Sequence, residues 1–365
     1  MIVVVKIGTS SITEADGTIK AGAVAKLSGE VAAAVASDHQ VVVVSSGAIG
    51  AGLPVLGFAR GRPRDPVTLQ ALSAVGQSRL MALYQECLGG YGLVCGQVLL
   101  APRDFLERSQ YLHAQRTLAR LLKLGVIPIV NENDAVADDA IRWGDNDRIA
   151  ALVAHMVGAE LLVLLTDIEG VHTADPRFDT EARIVEEITD LGILDELAAA
   201  AGGSGTDRGS GGMASKLAAA RIASRSGVRT VIAAAHRHQV VADALAGVPG
   251  TGSTVVAQPR RLSARKLWIG FAMVPTGTIQ VDAGARRAVM ERGASLLGIG
   301  VTGHEGSFQV GDAVDVCGPD GQVFARGLVK VPSEEMHSVV GMRTDSIPSG
   351  RPDEVIHRDS LTVLL

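Results

Sequence analysis

The chain repeats one pattern, in which a short run of aliphatic residues is followed by a glycine-rich or polar turn and then by an alanine-rich segment of helical length. Clear aliphatic runs lie at 2–5, 41–45, 126–130 and 161–165. Strands that are apolar throughout are covered on both faces, as in parallel sheets whose strands are joined by helices. Aromatic residues make up only 3% of the chain, which suits alanine-rich helices packed on valine and leucine strands. The pattern therefore favours an α/β protein over a β-sandwich.

The character of the sequence changes towards its C-terminal part. Residues 258–266 form a basic, proline-bearing stretch, and beyond residue 275 the predicted strands are short, alternating and interrupted by glycine. A length of 365 residues is typical of two or three domains. We therefore predict an α/β domain over 1–257, a linker over 258–274, and a small β-rich domain with the C-terminal tail over 275–365.

Charge and cysteine content argue against several classes of protein. The formal net charge of −5 is unfavourable for a protein whose main task is to bind nucleic acid. The three cysteines show no C-x-x-C spacing, so they indicate neither a disulfide framework nor a zinc cluster. The sequence shows no signal-peptide pattern and no apolar run of about 18 residues. We expect a cytoplasmic protein with reduced thiols.

Polar side chains are concentrated directly after the aliphatic run 126–130. Asn131 and Asp134 follow that run, and a second polar group ends in Asn146 and Asp147. Ligands of parallel α/β sheets bind outside the carboxyl ends of the strands, so these side chains suit an amine, a hydroxyl or a magnesium hydration shell. Asn and Asp are also common in turns and as N-caps, and Asn146 or Asp147 would then only cap the following helix.

Two other strand ends carry a cation or a glycine-rich turn. Lys6 follows the first aliphatic run and precedes Gly8 and Thr9, whose amides and hydroxyl suit a phosphate. Ser46 opens a turn with the spacing G-x-x-G-x-G, which suits an anion or a substrate held by backbone amides. The alternative for the first segment is a β-turn in which Lys6 is incidental. The alternative for the turn that begins at Ser46 is tight packing of a strand against a helix.

The densest glycine segment, 202–216, leads into an alanine-rich helix and places Lys216 in the first turn of that helix. Backbone amides and a lysine at a helix N-terminus form an anion site, whereas the alternative is a flexible surface linker. Thr166 and Asp167 follow the run 161–165. This pair suits either a ribose or phosphate contact or a plain turn.

These features favour phosphoryl transfer. Two lysines beside amide-rich turns, facing a group of Asn and Asp side chains, would combine positive charge for phosphates with polar groups for a small zwitterion, and Mg2+ is expected with the phosphates. We find no Ser/His/Asp order, nucleophile elbow or plausible catalytic cysteine. A carboxylate acceptor, with a reference pKa near 4.3 for Glu, is already ionised and needs no general base. An alcohol acceptor would need one, so the sequence favours a carboxylate substrate and an acyl phosphate product.

Five motifs together resemble a known family. They read VVVKIGTSS, VVSSGAIGAG, IVNENDAV with WGDND, LLTDIEGVHTADPR and GSGGMASK. In this order they resemble the glutamate 5-kinases of the amino-acid kinase family, and the segment from TGTIQVDAGARRAV to FARGLV resembles the PUA domain that many of those kinases carry. The resemblance implies a three-layer α/β/α sandwich and ATP-dependent phosphorylation of the γ-carboxylate of L-glutamate, the first step of proline biosynthesis. It also implies Mg2+, a dimer or tetramer, and often inhibition by proline.

The resemblance also assigns roles to particular residues. Lys6 and Lys216 would stabilise the transferring phosphoryl group, and Asp147 would orient both lysines. Glutamate would be held by Ser46, Asp134 and Asn146, with Asn131 close by. The nucleotide site would be lined by Lys6, Gly8, Thr9, Thr166, Asp167, Ser210, Gly211, Gly212, Met213, Ala214, Ser215 and Lys216.

Departures from the family pattern are few, and two rival functions stay open. Ser210 and Ser215 stand where the family usually has threonine, and His172 stands where it more often has tyrosine. One rival is an amino-acid kinase acting on aspartate, N-acetylglutamate, carbamate or a nucleoside monophosphate. The other is RNA binding or modification through the PUA-like domain. Acids outnumber bases between Thr276 and Glu354, which is unfavourable for a surface that binds phosphates.

Overall fold

The computed structural model describes residues 1–58, 62–136, 145–200, 212–259, 262–343 and 352–364. The chain divides into two compact units, Met1–Arg261 and Leu262–Leu365. No helix in these described ranges is both long enough and apolar enough to cross a membrane.

The larger unit is built on an eight-stranded sheet, counted over the described residues. Its strands are β1 (Ile2–Ile7), β2 (Gln40–Ser45), β3 (Val94–Leu100), β4 (Val126–Glu132), β5 (Leu161–Thr166), β6 (Glu187–Ile188), β7 (Arg229–Ala234) and β8 (Ser253–Val255). They lie in the order β3-β4-β2-β1-β5-β7-β8-β6. Every neighbouring pair is parallel except β7 with β8. The predicted α/β class with a mostly parallel sheet is confirmed.

Helices connect the strands of this unit. In the described residues they are α1 (Thr9–Ile12), α2 (Ala21–Ala36), α3 (Ala48–Gly52), α4 (Pro66–Gly89), α5 (Arg103–Leu106), α6 (Arg108–Lys123), α7 (Asn146–Val157), α8 (Ile193–Ala200), α9 (Met213–Arg225) and α10 (Val240–Ala246).

The two faces of β1 show how the sequence forms layers. Val3, Val5 and Ile7 belong to a buried core shared with apolar residues of α2, α4 and α10. Because side chains alternate across a strand, Val4 and Lys6 point to the opposite face, where α7 packs on β1 and α9 packs on α7. The central strands are therefore covered on both sides, and this second face carries Lys6 towards α7.

The smaller unit has its own five-stranded sheet in the described residues, with the order β10-β9-β11-β12-β13. These strands are β9 (Gly277–Val281), β10 (Val301–Gly306), β11 (Ala313–Cys317), β12 (Val323–Val329) and β13 (Ile356–Val363). A separate buried core includes Phe308, Phe324 and Met336. The prediction of a β-rich C-terminal domain is confirmed.

This unit also contains helices that the alternating pattern does not predict. They are α11 (Ala264–Leu267), a π-helical turn at Trp268–Ala272, and α12 (Ala283–Arg292), whose N-cap Asp282 accepts a hydrogen bond from the Ala285 amide at 2.7 Å. Residues 264–272 fall within the segment predicted as a linker. Residues 264–272 are part of the smaller unit, and Thr362 of that unit donates a hydrogen bond to the Lys266 carbonyl at 2.9 Å.

Candidate active site

The carboxyl ends of four strands meet at one edge of the larger sheet. Strands β4, β2, β1 and β5 are consecutive neighbours, and Ile7 pairs with both Ser45 and Leu165. The residues that follow these strands are therefore brought side by side. This edge holds most of the side chains that the sequence pattern singles out.

A buried ion cluster, which we call the charged triad, joins Lys6, Asp147 and Lys216. Lys6 Nζ lies 2.6 Å from one carboxylate oxygen of Asp147, and Lys216 Nζ lies 3.2 Å from the other. The three residues are 3%, 0% and 4% exposed. Asp147 lies in the first turn of α7 and Lys216 in the first turn of α9, so three separate elements each place one member.

The charges of the triad do not cancel. Burial lowers the pKa of Lys6 below the ordinary lysine value despite the opposing charge of Asp147, and the charge of Lys216 lowers it further. Burial alone would raise the pKa of Asp147, but the two lysines outweigh burial and hold that pKa below the ordinary aspartate value. The triad combines two amino groups with one carboxylate, and all three side chains are buried. Such a site favours a bound anion.

Asp145 is a part of this site that the sequence analysis missed. Its side chain caps α7 by accepting the Asp147 amide at 3.0 Å, and its second oxygen lies 3.4 Å from Arg148 Nε. The expectation that Asn146 or Asp147 caps this helix is wrong, because the helix begins at Asn146 with Asp145 as its N-cap. Both following side chains are thereby released from the capping role. Burial, and then the charge of Asp147, raise the pKa of Asp145.

A second group, which we call the amide cluster, lies at the ends of β2 and β4 and consists of Ser46, Gln77, Asn131 and Asn146. The Asn146 amide nitrogen lies 2.9 Å from Asn131 Oδ1 and 3.0 Å from Ser46 Oγ. Asn131 in turn donates to Gln77 Oε1 at 2.7 Å. The buried Oδ1 of Asn146 has no hydrogen-bond partner within the described parts of the chain. It is an acceptor available to a ligand.

Strand β4 extends further than its apolar run. The pattern predicts a strand over 126–130, whereas β4 continues through Glu132, and Asn131 is a buried strand residue only 1% exposed. Asp134 follows in a short 3-10 turn and accepts a hydrogen bond from Ser73 Oγ at 2.7 Å. Ser73 and Gln77 lie one turn apart on α4, so one face of this helix supports both Asp134 and the amide cluster. Polar residues at that spacing within a long helix were the available signal.

The remaining residues that the sequence predicts for the site lie directly after β1, at the end of β5 and at the start of α9. Gly8 and Thr9 directly follow β1, and Thr166 ends β5 and donates to Asp167 Oδ1 at 3.1 Å. Gly212 precedes α9, and Met213 and Ala214 belong to its first turn. Ser215 Oγ donates to Asp147 at 3.2 Å. Ser210 and Gly211 lie outside the described residues.

The triad and the amide cluster are directly connected. Asn146 belongs to the cluster and Asp147 to the triad, and these two residues are consecutive in the first turn of α7. A site that attracts an anion is therefore placed next to a site that offers neutral hydrogen-bonding groups. This geometry suits the transfer of a phosphoryl group to a small polar acceptor.

Comparison with known proteins assigns both units to families. Residues 1–234 match the model of the amino acid kinase family, and residues 277–350 match the PUA domain. A glutamate 5-kinase from Gloeobacter violaceus is 44% identical over 99% of this chain and 99% of its own length. One from Nocardia farcinica is 45% identical over 98% of this chain and 96% of its own length.

A solved structure supports the fold of the larger unit. A carbamate kinase from Giardia lamblia bound to AMP-PNP superposes with a TM-score of 0.52 at 18% identity, covering 70% of this chain and 98% of that protein. A likeness at this identity supports the fold alone. The family models and the full-length relatives show that the chain belongs to the amino acid kinase family and carries a PUA domain after its kinase domain.

Proposed function

We propose that the protein transfers the γ-phosphoryl group of ATP to the γ-carboxylate of L-glutamate, producing L-glutamyl 5-phosphate for proline biosynthesis. The observation that carries this proposal is the charged triad beside the amide cluster. The full-length relatives, which bear the name glutamate 5-kinase, support the choice of substrate. The ionised acceptor also fits, because no general base is needed at the reacting oxygen.

The charged triad would hold the phosphates. Lys6 and Lys216 are fixed by Asp147 at 2.6 and 3.2 Å and supply positive charge where the transferring group gains negative charge. Lys216 lies in the first turn of α9, and the amides of a helix N-terminus favour a bound phosphate. Mg2+ would neutralise part of the phosphate charge, and its preferred oxygen donors include a carboxyl such as that of Asp145 beside the triad. A bound cation would favour the ionised form of that carboxyl.

The amide cluster would hold the amino acid. The unused Oδ1 of Asn146 can accept a hydrogen bond from the α-ammonium group, and Asp134 can offer a carboxylate to the same cation. Ser46 can donate its hydroxyl to a carboxylate oxygen. An oxygen of the γ-carboxylate then attacks the γ-phosphorus, the bond from that phosphorus to the bridging oxygen breaks, and ADP leaves. No proton has to move in this step.

Trapping the acyl phosphate tests this proposal. The full-length protein is incubated with ATP, Mg2+, hydroxylamine and one acceptor at a time, and the resulting hydroxamate is measured. We expect hydroxamate with L-glutamate and only background with aspartate, N-acetylglutamate or carbamate. The Lys216→Ala variant should lose the signal, while Lys26→Ala, which removes a lysine from a partly buried ion pair within α2, should retain it. Absence of hydroxamate with L-glutamate would contradict the proposal.

Further attributes are proposed from the family alone. We propose that the enzyme works in the cytoplasm as a homodimer or homotetramer and that proline inhibits it. Sedimentation of the purified chain measures its oligomeric state. Adding proline to the hydroxamate assay measures inhibition, and a rate independent of proline would remove this attribute.

A further inference from the structure

A cleft of ≈ 420 Å³ lies at the opposite edge of the sheet from the candidate active site. Ile2 and Gln40 line it, and these residues begin β1 and β2, whose other ends carry Lys6 and Ser46. Its remaining walls come from α6 and from Val157 at the end of α7. The volume falls within the range of about 300 to 1,000 Å³ that is usual for small-molecule sites.

The walls of the cleft combine apolar surface with positive charge. Ala119, Leu122, Ile2 and Val157 supply the apolar part. Helix α6 contributes three exposed cations, Arg116, Arg120 and Lys123. Their spacing of four and three residues places them along one face of α6.

Within the described part of the chain, these three cations are available to a ligand. Among the residues that the structure describes, none of the three side chains has a hydrogen bond or an ion pair. Glu160 is an acid next to the cleft wall, since its backbone amide donates to the Ile2 carbonyl at 3.0 Å. Among the described residues, its carboxylate forms no ion pair with these three cations. Like charges on one face, without an acid between them, favour a bound anion.

Helix stability does not account for the whole set. Arg120 and Lys123 lie in the last turn of α6, where cations interact favourably with the helix dipole. Arg116 lies before that last turn, on its N-terminal side. Because the dipole effect is confined to the last turn of a helix, it does not account for Arg116. Arg116 nevertheless lines the cleft beside the other two cations.

We propose that this cleft binds a small organic phosphate, with the phosphate on Arg116 and Arg120 and the carbon skeleton on the apolar wall formed by Ala119, Leu122 and Val157. A guanidinium group pairs with phosphate through two parallel hydrogen bonds. Several unopposed positive charges favour the dianion of a phosphate monoester over a single carboxylate. The apolar wall favours an ester over free phosphate.

Equilibrium titration of the full-length protein with phenyl phosphate tests this proposal. Wild type is compared with Arg116→Gln/Arg120→Gln and with Arg108→Gln, a matched control that removes an exposed arginine from the other end of α6. Each titration is repeated in a Lys216→Ala background, so that binding at the candidate active site is counted separately. Thermal unfolding of every variant is measured alongside, and exposed substitutions should leave it unchanged.

The affinity of the cleft for phenyl phosphate should fall at least about tenfold in the double variant and change by less than about twofold in Arg108→Gln. Inorganic phosphate should bind more weakly than phenyl phosphate, and benzoate more weakly still. The proposal is overturned if wild type binds phenyl phosphate only at the active site, if both variants bind equally, or if benzoate binds as tightly as phenyl phosphate.

Discussion

Replacing Asp147 with asparagine isolates the electrostatic role of the charged triad. The substitution keeps the shape of the side chain but removes the anion that lies 2.6 and 3.2 Å from two buried ammonium groups. Removing one partner of a buried ion pair costs about 3 to 5 kcal/mol, because the remaining charge stays buried. A ceiling comes from proton release, since an ordinary lysine gives up its proton at pH 7 for about 4.6 kcal/mol. Releasing the proton of Lys6 costs less free energy, because burial already lowers its pKa. We therefore expect the substitution to lower the free energy of unfolding by about 3 to 4 kcal/mol at pH 7.

The pH dependence of this loss has a definite sign. In wild type the pKa of Asp147 is lower in the folded state than in the unfolded state. The stability that Asp147 contributes is therefore present above the ordinary aspartate pKa and is lost as the pH falls through the folded pKa. In the variant, a lysine whose folded pKa is lowered binds fewer protons than in the unfolded state, so stability rises with pH. The gap between wild type and variant should therefore be largest near neutral pH and should narrow towards pH 9 or 10.

Urea unfolding of the full-length protein at pH 7 and pH 9 measures this gap. Asp175→Asn is the matched control, because Asp175 forms a 2.7 Å ion pair with an arginine that is exposed to solvent. This control should unfold like wild type at both pH values. A gap below about 1 kcal/mol at pH 7, the value typical of surface ion pairs, would refute the reasoning, as would a gap that widens towards pH 9.

The other predictions concern catalysis. Lys6→Ala and Lys216→Ala should each lower kcat by more than about a hundredfold, because each removes positive charge from the transferring group; near-normal turnover in steady-state kinetics would remove that lysine from the mechanism. Asp134→Ala should raise the KM for glutamate about tenfold with a smaller change in kcat, since one charge-assisted contact is lost, and an unchanged KM would make Asp134 a turn residue only. Ser73→Ala should raise the same KM by a smaller factor and have no further effect in the Asp134→Ala background, because Ser73 acts through its 2.7 Å bond to Asp134. If the two substitutions raised the KM independently in this double-mutant cycle, Ser73 would have no supporting role for Asp134.

Sequence reasoning located the triad because its members occupy positions with local signatures. Lys6 follows a run of aliphatic residues in β1, Lys216 lies in the first turn of a helix that follows a glycine-rich segment, and Asp147 lies in the first turn of another helix. Parallel packing brings such positions to one edge of the sheet. The family resemblance implies that Asp147 orients both lysines, and both lysines do contact that carboxylate in the structure. The local signatures alone do not predict these contacts, because they depend on how α7 packs on β1 and on α9.

The supporting residues were harder to predict. Gln77 lies 54 positions from Asn131 in the sequence, and Ser73 lies 61 positions from Asp134, so only tertiary packing pairs them. Asp145 was missed for a different reason, since three consecutive polar residues can each cap a helix and the backbone decides which one does. Helix α12 was missed because the glycine and alternation around it are typical of strands.

The central claim is that the carboxylate of glutamate attacks ATP directly in this site. It is tested with L-glutamate carrying heavy oxygen in both positions of the γ-carboxylate, in the presence of ATP, Mg2+ and hydroxylamine. Hydroxylamine attacks the acyl carbon and releases phosphate with the oxygen that formed the new bond, so phosphorus NMR should show one heavy oxygen in the released phosphate. Phosphate without the label would mean that water, rather than glutamate, accepts the phosphoryl group, and would contradict the account.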